Sequence, residues 1–288
     1  MGNSKKALPP LKRFGQNFLK DKNILEKIIK AIPLSNSYNK IVEIGAGLGD
    51  LTKKLLEIRC VKAYEVDKRL CSYLKEEFSK EISEGKLELV CKDVLEEKDS
   101  LDKDKFILVA NLPYYIATKI ILNALRDRNC QELIVMIQKE VALKFCAKSG
   151  DREFGSLSIL ASYCGECEIL FDVLPSSFDP MPKVTSSVIR IRKKRSLEDR
   201  KFEEFLKVAF SMPRKTLKKN LSKAYPKELI EEIFSILSLE PSIRPHQLLP
   251  SEYLKIFSII KDSSDGREKR EYSNNNSNSI SNSKSKEK

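Results

Sequence analysis

The sequence predicts an α/β protein with a Rossmann-like parallel sheet and a small C-terminal helical domain. Short apolar runs with the length of buried strands alternate with helical patterns between residues 22 and 147. A glycine-rich turn follows the first of these runs, where doubly wound sheets bind nucleotide-like ligands. Beyond Arg195 the pattern becomes helical throughout. A chain of 288 residues accommodates one full α/β domain and a smaller second domain.

The predicted elements follow a regular order along the chain. After a helix over about 22–32, apolar runs predict strands over 41–44, 60–65, 87–91, 106–110 and 133–137. Helical patterns lie between them over about 49–58, 68–83, 117–126 and 139–147. Two more apolar runs, Leu157–Tyr163 and Ser187–Ile191, can complete the sheet on its other edge. Four further helices are predicted over 199–211, 214–224, 226–237 and 250–260.

These patterns divide the chain into four parts. A basic arm occupies 1–20, the α/β domain 21–195 and the helical domain 196–261. The remainder, 262–288, is rich in serine and asparagine and too polar to bury a core, so disorder is expected there.

The positive charge of the chain is concentrated in one stretch. The formal net charge is +12, and residues 183–223 contain fourteen Lys or Arg against four Asp or Glu. Such a block favours a polyanionic partner, because neutralised phosphates release their condensed counterions. A solvated helix face or a membrane-surface patch would give the same charge, so the motifs must decide.

The cysteine pattern and the N-terminus indicate an ordinary cytoplasmic protein. The seven cysteines are scattered and odd in number, which predicts reduced thiols. Cys164 and Cys167 form a CxxC that could be half of a zinc site or a redox pair, but no second CxxC exists and His246 is the only histidine. We expect no metal site, no signal peptide and no membrane span.

The glycine-rich turn, residues 45–49, indicates an adenosine-containing cofactor. Glu65 ends the next strand, where a carboxylate can accept hydrogen bonds from both ribose hydroxyls. The spacing is GxGxG, whereas dinucleotide binding requires GxGxxG, and Asp50 in the following helix would repel a diphosphate. S-adenosylmethionine carries a sulfonium cation and no phosphate, so acidic neighbours such as Glu43, Glu65 and Asp93 suit it better.

The tetrapeptide Asn111-Leu112-Pro113-Tyr114 follows the fourth predicted strand at the same edge of the sheet. An exocyclic adenine nitrogen is a poor nucleophile, because its lone pair is delocalised into the ring. The Asn111 side-chain oxygen and the Leu112 carbonyl can accept its two protons and hold the nitrogen toward a methyl donor. Pro113 restricts the turn, and Tyr114 offers a face on which a base can stack.

The order of these motifs resembles the ribosomal RNA adenine dimethyltransferase family, over about residues 11–255. Besides the glycine turn and the tetrapeptide, Phe14–Leu19 resembles the family's N-terminal cofactor lid, and 175–184 resembles the loop whose aromatic residue, here Phe178, closes on the target base. The resemblance implies a class I methyltransferase sheet and N6 methylation with S-adenosylmethionine. Because Tyr114 and Phe178 would sandwich the adenine, the base must leave its helical stack.

The resemblance also assigns site residues and a substrate. It implies catalytic roles for Asn111, Leu112, Pro113, Tyr114 and Phe178. It implies donor contacts from Gln16, Asn17, Leu19, Gly45, Gly47, Glu65, Asp93, Val94 and Asn111. The segments 138–142 and 210–217 resemble the small-subunit branch of the family, which dimethylates two adjacent adenines near the 3′ end of small-subunit RNA. We therefore expect small-subunit ribosomal RNA in an immature 30S subunit as partner, and a monomer. Ala46 replaces a usual proline, and Met212-Pro213 breaks a usual basic pair.

Alternatives remain open from the sequence alone. The enzyme could methylate large-subunit RNA and confer macrolide resistance, or the chain could be a non-catalytic assembly factor. An NAD-dependent oxidoreductase is disfavoured by the glycine spacing. Each motif also has a structural interpretation, in which Asp93 caps a helix, Phe178 is a core residue and Gly15–Leu19 begins a helix.

Overall fold

The computed structural model describes residues 8–11, 14–33 and 40–263. They form two compact units. The first comprises the chain up to Ala147 together with Leu157–Glu198, and the second comprises Lys148–Ser156 and the chain from Asp199 onward. Residues 1–7 and 12–13 of the predicted basic arm, and 264–288 of the predicted disordered tail, lie outside the described residues. The first two residues of that tail, 262 and 263, are helical.

The first unit contains nine strands and seven helices among its described residues. In chain order they are β1 (Phe18–Leu19), α1 (Lys22–Ala31), β2 (Lys40–Ile44), α2 (Asp50–Leu56), β3 (Cys60–Tyr64), α3 (Lys68–Glu77), α4 (Ser79–Ser83), β4 (Leu87–Val90), β5 (Phe106–Asn111), α5 (Ala117–Arg126), β6 (Cys130–Gln138), α6 (Lys139–Cys146), α7 (Ser156–Cys164), β7 (Gly165–Val173), β8 (Phe178–Asp179) and β9 (Ser186–Lys193).

Seven of these strands form one sheet in the order β4-β3-β2-β5-β6-β9-β7. Strands β2 to β6 pair in parallel, whereas β9 runs antiparallel to both of its neighbours. The strand order reverses at β2, which has β3 on one side and β5 on the other. The predicted Rossmann-like sheet is confirmed, and its switch point places the ends of β2 and β5 side by side.

The parallel strands are apolar because helices cover both faces of such a sheet. In β5 every residue before Asn111 is buried, and β2 is buried from Ile41 to Ile44. Helix α1 packs Ile24, Leu25 and Ile28 into the same core, and Asp21 caps its first turn through the amides of Asn23 and Ile24. The packed sheet and its covering helix thereby fix the positions of the residues at the strand ends.

The predicted strand over 157–163 is wrong, because this run is the middle of helix α7. Its residues are almost uniformly apolar, and such a run does not distinguish a buried helix from a buried strand. The strand at the sheet edge is instead β7, which begins at Gly165. A Cβ at Gly165 would lie within bonding distance, 1.9 Å, of the Arg192 carbonyl oxygen, so only glycine fits at this junction.

The expectation that all cysteines are reduced also requires correction. Cys146 at the end of α6 and Cys167 in β7 form a disulfide, with Cα atoms 5.1 Å apart. The sequence did not reveal this proximity, because the two cysteines are 21 positions apart and only the packing of α6 beside β7 brings them together. Cys164, the other member of the CxxC, is buried and is not part of this disulfide.

The second unit is helical, with α8 (Arg200–Ala209), α9 (Leu217–Leu221), α10 (Lys227–Ile236) and α11 over residues 250–263. Helix α9 begins three residues later than the sequence predicted. Its N-cap is Thr216, and the preceding turn is held by the buried Asn220 amide, which bonds the Met212 and Thr216 carbonyls. Aromatic rings of α8 and α11 form the core of the second unit. The ring centroids of Phe205 and Tyr253 are 6.2 Å apart. Among the described helices of the protein, none has the length and apolarity that a bilayer span requires.

Candidate active site

An open cleft with about 1140 Å³ of empty space lies at the carboxyl edge of the parallel strands. The residues that follow β2, β3, β4 and β5 line it, together with the segment 14–19. Of the site residues expected from the sequence, the cleft brings together Gln16, Asn17, Leu19, Gly45, Gly47, Glu65, Asp93, Val94, Asn111, Leu112, Pro113 and Tyr114. Phe178 does not line this cleft.

The glycine turn is tied to the neighbouring strand and closely covered. The amide of Gly45 donates to the Tyr64 carbonyl at 2.8 Å. Gly47 has φ +60°, and a Cβ there would lie 3.1 Å from the Phe18 ring. Glycine is therefore required at position 47 both by its backbone conformation and by the aromatic ring above it.

Glu65 connects the glycine turn to the start of α3. Its side chain is 5% exposed. Oε2 accepts a hydrogen bond from the Gly47 amide at 2.9 Å, and Oε1 accepts one from the Asp67 amide at 2.9 Å. Burial raises the pKa of this carboxyl. Each carboxylate oxygen retains a second acceptor position, which is what recognition of a ribose diol requires.

Two further acidic residues of the cleft have structural partners. Glu43 is fully buried and accepts a hydrogen bond from Thr52 Oγ1 at 2.6 Å, and burial raises its pKa to about 8. Asp93 accepts from the Leu95 amide at 2.9 Å and so caps a short 3-10 turn over Val94–Glu96. The capping interpretation of Asp93 is correct, and the residue also lines the cleft.

The chemistry of this lining fits an adenosine-containing cation and does not fit a diphosphate. Apart from its tyrosines, the ionisable lining residues of the cleft are one lysine, Lys92, and the four carboxyl groups of Glu43, Asp50, Glu65 and Asp93. The Gly47 amide, which a phosphate-binding turn would direct at its ligand, is already used by Glu65. S-adenosylmethionine, whose sulfonium is positive, therefore matches the donor and acceptor set.

The segment 14–19 lies over the cleft and is anchored at several points. Gln16 accepts from the Leu11 amide at 2.6 Å and donates to Asp67 Oδ2 at 3.0 Å, so both ends of its amide hold this segment in place. Directly after it, Lys20 pairs with Asp50 at 2.9 Å. Of the alternatives left by the sequence, this segment is an extended cover with a short strand, and no α-helix begins there.

Asn111 has a fixed orientation in the cleft. Its Nδ2 donates to the backbone carbonyl of Asn17 at 3.1 Å. Among the described residues no hydrogen bond reaches Asn111 Oδ1 or the Leu112 carbonyl, while the Leu112 amide is held by the Met136 carbonyl at 3.1 Å. An amide fixed through its donor end leaves its oxygen available as an acceptor. These two oxygens can accept hydrogen bonds from the N–H groups of an exocyclic amine.

The two aromatic residues expected to sandwich a base occupy different environments. Tyr114 lines the cleft, and its hydroxyl hydrogen-bonds Ser186 Oγ at 2.7 Å. Phe178 is 5% exposed, pairs with Leu19 in the β1–β8 ladder and belongs to the core. In this arrangement Phe178 is a core residue, because its register opposite Leu19 directs the side chain inward. The Phe178 ring can contact a bound base only if the segment that carries it moves.

Sequence reasoning assigned no site role to four aromatic residues of the cleft, Phe14, Phe18, Tyr64 and Tyr115, and two of them are informative. Phe18 covers the glycine turn, and Tyr115 lies at the mouth with 61% of its surface exposed. Both are adjacent to motif positions, Phe18 inside the lid motif and Tyr115 directly after the tetrapeptide. That adjacency is the signal that could have identified them.

Comparison with known proteins gives the family. The model for "Ribosomal RNA adenine dimethylase" matches residues 11–262. Ribosomal RNA small subunit methyltransferase A of Sulfurimonas denitrificans is 51% identical over 261 residues, which cover 90% of this chain and 97% of the relative. The protein of the same name from Campylobacter concisus is 51% identical over 277 residues, 91% of this chain and 98% of the relative.

Solved structures agree with the sequence relatives. A dimethyladenosine transferase from Plasmodium falciparum aligns with a TM-score of 0.73 at 27% identity, covering 85% of this chain and 98% of that chain. The 23S rRNA methyltransferase ErmE aligns with a TM-score of 0.65 at 25% identity, covering 85% of this chain and 100% of that chain. Since a family model and relatives at half identity both span nearly all of the described residues, this chain belongs to the ribosomal RNA adenine dimethylase family.

Proposed function

We propose that this protein uses S-adenosylmethionine to dimethylate N6 of two adjacent adenosines near the 3′ end of small-subunit ribosomal RNA. The observation that carries the proposal is the oriented Asn111 amide at the end of β5, in a cleft whose acceptors suit an adenosine-containing cation. Relatives at 51% identity are named small-subunit methyltransferases, which favours that RNA over large-subunit RNA.

The protein contributes position and polarity to the reaction. When bound, the cofactor supplies an electrophilic methyl group. Asn111 Oδ1 and the Leu112 carbonyl accept hydrogen bonds from the two N6–H groups of an unmodified adenine, which holds N6 in line with the donor and favours its loss of planarity. Tyr114 provides a stacking surface that Ser186 holds in place. No strong base is required, since the product nitrogen loses its proton readily once charged.

Phe178 remains part of the proposal in a second position. We assign it to the outer face of the extruded base, reached when the segment after Leu174 moves away from the core. The 3-10 turn Pro175–Ser177 and the two-residue strand β8 are the parts that would have to shift. Methylation by a Phe178→Leu variant at a wild-type rate would remove this role.

The RNA-binding role is assigned mainly to the second unit. In β9 the cations have internal partners, since Arg190 pairs with Glu132 at 3.1 Å and Lys193 donates to the Ala124 carbonyl at 3.0 Å. Arg214, Lys215 and Lys219 are exposed, and no ion pair to them occurs within the described part of the chain. Exposed cations of this kind suit phosphate contacts. We further propose an immature 30S subunit as substrate, a monomeric enzyme and a cytoplasmic location.

Substitution of Asn111 tests the proposed function. Asn111→Ala removes the acceptor and should lower methyl transfer by about 100-fold or more, as loss of an oriented polar group at a reacting centre does. RNA affinity should change little, because phosphate contacts lie elsewhere. Transfer of labelled methyl groups to immature small subunits measures the first quantity, and filter binding measures the second.

A matched control and a substrate map complete the experiment. Asn123→Ala, on helix α5 and outside the cleft lining, should keep wild-type transfer. Undiminished transfer by Asn111→Ala would refute the role given to that amide. Mass spectrometry of ribosomal RNA from cells lacking the protein identifies the modified adenines. Loss of dimethyladenine from large-subunit RNA alone would favour the macrolide-resistance alternative, and loss from neither RNA would favour a non-catalytic assembly factor.

A further inference from the structure

Tyr115 and Tyr114 are adjacent in the chain, but their side chains lie in different environments. The Tyr114 hydroxyl is held by Ser186, whereas no hydrogen bond of the Tyr115 hydroxyl occurs among the described residues. Tyr115 lines the cleft and yet remains 61% exposed. A residue that is both lining and exposed lies on the rim, so Tyr115 marks the edge over which a ligand passes.

The Tyr115 ring spans the cleft mouth to the covering segment. A Cβ at Gly15 would lie 3.5 Å from Tyr115 Cδ1 and 3.7 Å from Cε1, so the ring faces the open side of this glycine across the space of one side-chain carbon. Gly15 has φ +57°, a conformation that side chains disfavour. The ring and the glycine together form a bridge between the end of β5 and the segment 14–19.

Charge identifies the half of the cleft that this bridge covers. Burial raises the pKa of Tyr115, and the carboxylates of Asp93 and Glu65 raise it further. Tyr115 also lines the same cleft as Asp93 and Glu65, the two acidic side chains that we assign to the adenosine half of the site. A phenol offers a donor and an apolar ring, which complements a nucleoside.

We propose that Tyr115 is a cofactor-binding residue that covers the adenosine half of the S-adenosylmethionine site and slows departure of the nucleoside. This inference rests on the proposed function, because it assumes the same cofactor in the same cleft. Its consequence is kinetic. Dimethylation of two adenines requires the spent nucleoside to leave after every transfer, so each round includes separation of the Tyr115 ring from Gly15.

Binding of S-adenosylhomocysteine to the full-length protein without RNA tests the proposal. Tyr115→Ala should weaken affinity on the order of tenfold, the scale of one aromatic contact to a base, and should speed dissociation. Tyr115→Phe keeps the ring and should stay within about threefold of the wild type, the scale of one lost hydroxyl contact. Ile236 on α10 is 57% exposed, so Ile236→Ala is the matched control and should bind S-adenosylhomocysteine as the wild type does. Calorimetry gives the affinity, and stopped-flow displacement gives the rate.

The outcomes separate the possible failures. If Tyr115→Ala binds S-adenosylhomocysteine with unchanged affinity and rate, the inference is overturned while the proposed function stands. If that variant instead loses affinity for ribosomal RNA, Tyr115 contacts the substrate and not the cofactor. If the wild-type protein does not bind S-adenosylhomocysteine, the proposed function itself fails. Since Tyr115 is exposed, its variants should melt at the wild-type temperature, which a thermal scan verifies.

Discussion

Replacing Glu65 by glutamine changes a single atom type at the centre of the cofactor cleft. Both carboxylate oxygens accept backbone amides, from Gly47 at 2.9 Å and from Asp67 at 2.9 Å. A glutamine of the same shape has one acceptor and one donor, so its NH₂ group must face one of these amides. A lost hydrogen bond to a charged acceptor costs about 1.5 to 3 kcal/mol. The same substitution removes one of the charged acceptors available to a ribose hydroxyl, so an energy of this size is lost from cofactor binding.

The expected result is weaker binding of S-adenosylmethionine by roughly 10- to 150-fold, the equivalent of that energy. Isothermal titration calorimetry on Glu65→Gln measures it. Glu77→Gln, an exposed carboxylate on α3, serves as control and should leave affinity unchanged. If Glu65→Gln binds the cofactor within about twofold of the wild type, the carboxylate does not recognise the ligand, and the role given to it is refuted.

Two further predictions concern stability. Gly165→Ala places a Cβ 1.9 Å from the Arg192 carbonyl oxygen and should cost about 3 kcal/mol or more, so that a thermal melt within error of the wild type would exclude the close approach. Glu43 has its pKa raised by burial to about 8, so it binds its proton more tightly folded than unfolded. The stabilisation that this tighter proton binding gives is complete below the unfolded pKa, near 4.5, and is lost as the pH rises to about 8. Between these values the free energy of unfolding falls by up to about 1.4 kcal/mol per pH unit. Chemical denaturation across this range should show a weaker decline for Glu43→Gln, and identical pH profiles would contradict the buried neutral carboxyl.

The parallel part of the sheet could be predicted because its strands are buried on both faces. Runs such as Phe106–Ala110 are continuous and apolar, and polar residues at or directly after a strand end, such as Asn111 and Glu65, then mark the functional edge. The same criterion failed at 157–163, where an apolar helix has no polar face to reveal its period. It also missed β7, an edge strand whose Glu166 and Glu168 are exposed.

The site residues were predictable in identity more than in arrangement. Residues that end strands, such as Glu65 and Asn111, line the cleft as the topology requires. The inward position of Phe178 depends on its register opposite Leu19 in a ladder of two residues per strand, which is too short for any periodicity. The two hydrogen bonds of the Gln16 side chain, to Leu11 and to Asp67, likewise could not be predicted. The bond to Asp67 joins segments that are distant in the sequence.

The acceptor that orients Asn111 is the main-chain carbonyl of Asn17. Every amino acid supplies that oxygen, so replacing the side chain at position 17 leaves the contact chemically available. An alanine scan is consequently blind to it and would rank position 17 as more tolerant than its part in orienting the amide warrants. What natural or designed variants must preserve there is the path of the chain, and changes in length or backbone angle in this segment will matter more than changes in residue type.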